Sequence, residues 1–137
     1  MAELLSIAFM SCNRVERVAQ SLGSVLAQTL DDVEVLICDD ASSDGTYEAL
    51  QQIVADYRGG KRLRLLRNES RLGVICNFNR IMAQAQSDYV MFAHEDDFSV
   101  PERAQTVRQA IFDAAAPPRA VFHDAFSLDA ASGQSQP

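Results

Sequence analysis

Val33–Thr46 reads VEVLICDDASSDGT. A β-branched apolar run, Val33 to Cys38, stops at the pair Asp39-Asp40. A polar turn follows through Ser42, Ser43, Asp44 and Gly45, and helical periodicity resumes after it. The pattern predicts a buried strand that delivers two carboxylates to its C-terminal tip. In open α/β sheets, ligands bind outside such tips.

Working outward from this stretch, strands and helices alternate. Leu4–Phe9 is a short apolar run and a first strand, broken by Ser11-Cys12-Asn13-Arg14. Asn13 and Glu16 have the spacing of a capping box. Val15, Val18, Leu22, Val25 and Leu26 then mark one face of a helix that reaches about Gln28. Downstream, Ser43 or Asp44 caps a second helix with a stripe of Tyr47, Leu50, Ile53, Val54 and Tyr57, ended by Gly59-Gly60. Leu63–Leu66 is a third strand. Val74, Phe78, Ile81, Met82 and Ala85 line a third helix, and Tyr89–Ala93 is a fourth strand running into His94-Glu95-Asp96-Asp97. Ser99, Pro101 and Glu102 start a fourth helix that closes at Pro117-Pro118, and Ala120–His123 suggests a fifth strand.

This alternation predicts an α/β fold, a mostly parallel sheet with helices on both faces and right-handed crossovers. Residues 1–126 read as one half-domain. Residues 127–137 are small and polar and read as a frayed tail. The chain stops just after a strand, so the expectation is that the rest of the domain is absent from it.

Composition narrows the partners. With 137 residues and 47% hydrophobic content there is material for one core. A net charge of −7 argues against a nucleic-acid backbone or an anionic lipid surface as the main partner. Cys12, Cys38 and Cys76 are odd in number and lack metal-like spacing, so they read as packing thiols of a reduced, cytoplasmic chain. MAELLSIAF has no basic leader region, and no window approaches the ~20 apolar residues of a spanning helix. Contact with the inner face of the membrane would need a further segment. Oligomeric state leaves no signature here.

Polar residues mark three strand ends: Ser11–Arg14, Asp39-Asp40 and His94–Asp97. In a sheet whose order reverses beside its first strand, these tips converge on one crevice. Crowded carboxylates repel unless a cation or a donor ligand sits among them. A carboxylate such as Asp40 can accept a hydrogen bond from the imide N–H of a nucleobase. Asp96 suits Mg²⁺ or Mn²⁺, which in turn bridges a diphosphate and neutralises it as it leaves.

Three stretches, SIAFMSCNR, SLGSVLAQTLDDVEVLICDDASSDGT and NESRLGVICNFNRIMAQAQSDYVMFAHEDDFSVP, resemble the nucleotide-sugar-binding part of family 2 glycosyltransferases with the GT-A fold. The resemblance runs from about Ser6 to Pro101. It implies inverting, metal-dependent transfer of a sugar from a UDP-, dTDP- or GDP-sugar to a hydroxyl of a saccharide, lipid-linked or protein acceptor. By position it implies that Asp40 binds the base with Asp39 beside it. Cys12 stands where the family often has a stacking aromatic, and Ser11, Asn13 and Glu95 complete the substrate-binding set. Either Arg71 or Arg80 approaches the diphosphate. Asp96 is the implied metal carboxylate, and His94 replaces the first acid of the metal motif, which would favour Mn²⁺. The catalytic base is expected beyond Pro137, so the isolated chain is expected not to turn over.

The rival readings are weaker. Asp40, Ser42, Asp44 and Gly45 mimic a calcium loop, but the twelfth position is Gln51 and a strand precedes it. A nucleotidyltransferase would want glycine in Ser11–Arg14. A phospho-acceptor domain would want a lysine at a late strand end, and Lys61 is the only one. A non-catalytic binding module is the remaining alternative.

Overall fold

The computed structural model describes residues 5–121, 127–128 and 135–136. Four parallel strands form the sheet: β1 (Leu5–Ser11), β2 (Glu34–Asp39), β3 (Arg62–Arg67) and β4 (Tyr89–His94), in the order β3-β2-β1-β4. The chain builds outward from β1 to β3 and then returns to the other side of β1. The strand order therefore reverses beside β1, the condition under which the polar tips converge. Register puts Ser11 beside Asp39 and Met10 beside His94, so three polar strand ends lie at one edge of the sheet.

Alternate side chains of each strand feed two separate cores. Ile7, Phe9, Val35, Ile37, Met91 and Ala93 point to the face covered by α1 (Val15–Leu26), α2 (Thr46–Asp56) and α4 (Arg103–Asp113). Ala8, Met10, Leu36 and Cys38 point to the face covered by α3 (Val74–Gln84), where Phe78 stacks on Phe92 with ring centroids 4.2 Å apart. Both faces are covered, so β1 and β2 carry unbroken apolar runs.

Several local expectations change. Helix α3 rests on Asn77 and Ile81, while Val74 and Met82 face outward at 73% and 41% exposure. A polar residue has taken the central core position, for the reason given below. Cys76, read as a packing thiol, is exposed on the same helix. Helix α2 ends at Asp56, ahead of Gly59-Gly60, because Tyr57 turns extended and its hydroxyl accepts the Lys61 N–H. Of the fifth strand expected at Ala120–His123, Ala120 and Val121 have no strand structure, and Phe122 and His123 lie outside the described residues. Within the tail, β5 (Ser127–Leu128) and β6 (Ser135–Gln136) pair antiparallel.

Candidate functional site

The β1–α1 and β2–α2 loops are tied into one unit. Asn13 N–H donates to Ser42 Oγ at 2.9 Å, and Asn13 Oδ1 accepts from Ser43 N–H at 2.9 Å. Arg14 N–H donates to Thr46 Oγ1 at 2.9 Å. The capping box of Asn13 and Glu16 does not form, because Asn13 is spent on this loop-to-loop pairing. The acceptor at the start of α1 is instead Asp44, whose Oδ2 takes the Val15 N–H while its Oδ1 takes the Thr46 N–H. One carboxylate thus serves the first turns of two helices, where the helix dipoles favour a negative charge. Asn13 and Ala41, the two non-glycine residues with left-handed backbone among those described, both sit at these strand tips. Such backbone strain concentrates at functional sites.

The adjacent acids have different surroundings. Asp39 is fully buried. It accepts the Ser42 N–H and hydroxyl, and Arg67 Nε lies 3.7 Å from it. That is a turn-holding role, and it leaves Asp39 no face toward a ligand. Asp40 is 3% exposed and collects the β3–α3 loop. Its Oδ1 accepts from Asn68 Nδ2 at 2.6 Å and Leu72 N–H at 2.8 Å, and its Oδ2 from Gly73 N–H at 2.9 Å. Burial by itself would raise the Asp40 carboxyl. The three hydrogen bonds and the nearby charge of Arg71 outweigh it and hold the pKa below the ordinary carboxylate value. Asn68 also donates to Asn77 Oδ1 at 2.9 Å, and the Cys38 thiol donates to the same atom at 3.0 Å. This chain of polar groups explains the turn of α3: Asn77 must face inward to complete it.

Cys12 stands where the strand ends meet. Its Sγ lies 3.5 Å from the Asp40 carbonyl. Burial raises its thiol pKa first; Arg71 lowers it, and the charges of Asp40, Asp39 and Glu95 raise it further. The same thiol therefore feels groups from β2, from the β3–α3 loop and from the turn after β4. Beside it, Ser11 is 2% exposed and its Oγ is buried with no hydrogen-bond partner among the described residues. Arg71 is the arginine near Asp40 and Cys12. Arg80 donates to the Arg67 carbonyl at 3.5 Å and acts on Cys38 instead.

The third tip is a tight turn, closed by Asp97 N–H to the His94 carbonyl at 3.1 Å. Ser21 of α1 donates its hydroxyl to the Glu95 carbonyl and so pins the turn. Asp96 reaches back to the first tip: Arg14 Nε lies 3.2 Å from its Oδ1 and 3.4 Å from its Oδ2. Both side chains are about half exposed, at 48% and 49%. They border a cavity of about 590 Å³ shared with Asn13, Glu16, Arg17 and Asp44. His94 follows Val90 and Phe92 on the α3 face of its strand, away from Arg14. Among the described residues no three His, Cys, Asp or Glu side chains gather as a metal cage. At the tip the half-exposed carboxylate of Asp96 stands beside open space. That fits a hard cation which takes its other ligands from water and a diphosphate, and not a cation held by protein alone.

Asn68, the Leu72 and Gly73 amides and Ser21 escaped the sequence reading, while Arg14 was placed at a polar strand end without a role of its own. Only Gly73 left a signal, as a glycine just ahead of a helical pattern; its φ of +81° suits it to that place.

A parallel α/β sheet that reverses beside its first strand, with its polar tips at one edge, is a Rossmann-like fold. The chain belongs to glycosyl transferase family 2, which matches residues 6–118. EpsE of Bacillus subtilis (strain 168) is 33% identical over 95 residues, 69% of this chain and 33% of EpsE. WfgD of Escherichia coli, a UDP-Glc:alpha-D-GlcNAc-diphosphoundecaprenol beta-1,3-glucosyltransferase, is 30% identical over 102 residues, 74% of this chain and 38% of WfgD. Among solved structures, S. aureus TarS 1-349 in complex with UDP-GlcNAc aligns with a TM-score of 0.70 and 26% identity, covering 80% of this chain and 31% of that one. The mannosyltransferase PcManGT of Pyrobaculum calidifontis, in complex with GDP-Man and Mn²⁺, aligns with a TM-score of 0.71 and 23% identity, over 85% and 34%. These alignments confirm the GT-A arrangement expected from the motifs. The chain spans about a third of the length of these relatives.

Proposed function

We propose that this chain carries the donor-binding part of a glycosyltransferase that moves a sugar, with inversion, from a nucleotide diphosphate to an acceptor hydroxyl. The observation that carries this reading is the convergence of three polar strand ends: Ser11 lies beside Asp39, Met10 beside His94, and Asp96 reaches back to Arg14 at 3.2 Å. Family membership and the nucleotide-sugar complexes of TarS and PcManGT support it.

In this reading Asp40 accepts the imide N–H of the base. Three protein donors already orient its carboxylate, and Oδ2, with one of them, keeps a lone pair for the ligand. The Cys12 side chain lies against the base, and Ser11 Oγ gains the partner it lacks. Arg71 reaches the diphosphate, and Glu95 and Asn13 frame the sugar. Asp39 serves by holding the turn rather than by touching substrate. Asp96 would hold Mg²⁺ or Mn²⁺, which when bound supplies positive charge to the departing nucleoside diphosphate. The base that takes the acceptor proton belongs, in this account, to the part of the whole protein that lies outside this third. Placement at the inner face of the membrane, toward a lipid-linked acceptor, is part of the same proposal; no described helix is long and apolar enough to span a membrane.

Calorimetry with UDP, GDP and dTDP, with and without Mn²⁺, tests the assignment. Asp40→Ala should lose discrimination among bases, and Asp96→Ala should lose the metal-dependent part of the affinity. Equal binding of every nucleotide by all three proteins would refute it.

A further inference from the structure

The Arg14–Asp96 ion pair occupies the carboxylate that the reading above gives to a divalent cation. We propose that Arg14 is an exchangeable counter-ion of that carboxylate: it holds Asp96 while no cation is bound, and moves to the donor diphosphate when a cation takes Asp96. The inference rests on the donor-binding reading and adds a residue and an order of events to it.

Three features support the exchange. The pair is weak by construction, because two half-exposed side chains in water hold each other loosely. A doubly charged ion on the same carboxylate displaces a single guanidinium readily. The pivot is fixed while the tip is half exposed: the Arg14 N–H is bound to Thr46 Oγ1, and its carbonyl accepts the Arg17 and Val18 N–H groups at 3.0 and 2.9 Å. The side chain can therefore swing without disturbing the start of α1. Finally, the guanidinium already leans over the site edge, with Nη1 on the Asn13 carbonyl at 2.9 Å. Both arginines of the cavity, Arg14 and Arg17, lie on the α1 side of Asp96. An arriving diphosphate would find the Arg14 fork at that edge, and a planar fork matches phosphate oxygens in pairs.

The neighbouring acids explain why such a counter-ion is useful. Glu95, Asp96 and Asp97 are consecutive, and Glu16 and Asp44 share the cavity. Asp44 is neutralised by the helix amides it accepts. Asp96 has no such donors among the described residues, and Arg14 supplies them until a cation does.

The test is Mn²⁺ binding to the full chain, followed by the loss of the free-ion electron paramagnetic resonance signal, for the wild type, Arg14→Gln, Asp96→Asn and the double variant. Arg14→Gln should tighten Mn²⁺ by about two- to fivefold, because the competitor is gone. With Mn²⁺ saturating, it should weaken UDP and GDP by about tenfold and leave uridine, which has no phosphate, unchanged. Asp96→Asn should abolish Mn²⁺ binding in either background. If Asp96→Asn abolishes binding but Arg14→Gln changes neither Mn²⁺ nor UDP affinity, the exchange is wrong and the cation assignment survives. If Asp96→Asn binds Mn²⁺ as the wild type does, or no chain binds it, the cation assignment fails and the exchange fails with it. Circular dichroism confirms that each variant is folded; the two side chains are exposed enough for substitution to leave the core intact.

Discussion

Asp40 carries a structural load from a buried position. Its carboxylate satisfies one side-chain and two backbone donors of the β3–α3 loop in a nearly water-free place. Asp40→Ala should therefore destabilise the fold by about 2–4 kcal/mol, since each buried donor left unpaired is costly; urea unfolding measures this. The pH dependence follows from the lowered pKa. A depressed folded value contributes stability above the ordinary carboxylate pKa, and that stability is lost as pH falls through the folded value. Asp40→Asn should accordingly lose stability less steeply than the wild type as pH falls below about 4, the ordinary carboxylate value. Cys12 supports a second prediction. Its thiol is pushed up, chiefly by burial, whereas Cys76 is exposed and Cys38 is buried with a pKa raised to about 11. Iodoacetamide near neutral pH should modify Cys76 first, Cys12 slowly and Cys38 only on unfolding, as peptide mass mapping over time would show. Rapid labelling of Cys12 ahead of Cys76 would contradict the environment described for it.

At the scale of elements, α1 does more than cover the sheet. Its polar positions Ser21 and Ser24, with Gln28 just past its end, hold the segment after β4. Ser24 Oγ accepts the Ser99 N–H at 3.0 Å, and Gln28 bridges the Val100 carbonyl at 2.7 Å and the Ala104 N–H at 2.8 Å. Gln28→Ala should cost about 1–3 kcal/mol by orphaning buried groups, with hydrogen exchange rising first around Val100–Ala104. This seam also shows where sequence reading stops. The apolar stripe of α1 was legible because period 3.6 is a property of one segment. The partners of Ser21 and Gln28 lie more than seventy residues away, and nothing in their own neighbourhood marks them. The same holds for α3: Val74 and Met82 fit the helical period, yet Asn77 faces inward because Asn68 and Cys38 await it. The capping box failed for the same reason, since a distant loop held a better acceptor in Asp44.

For the whole molecule, the strands and their polar ends were readable, because apolar runs ending in acids mark both the strand and its tip. What the pattern could not show was the division of labour among the acids. Asp39 closes a turn, Asp40 gathers a loop, and Asp96 stays accessible and pairs with Arg14. At the opposite flank, β4 pairs only with β1 among the described residues. Its other side borders a cleft of about 1010 Å³ lined by Tyr89, Met91, Ile111 and Phe112. The central claim is that one nucleotide diphosphate touches all three strand ends together. Amide chemical shifts of the ¹⁵N-labelled chain, titrated with UDP or GDP and Mg²⁺, test it most directly. The account predicts that Cys12–Arg14, Asp40, Leu72–Gly73 and Glu95–Asp96 shift with one shared dissociation constant. Shifts confined to a single strand end, or clustered along the β4 flank, would contradict it.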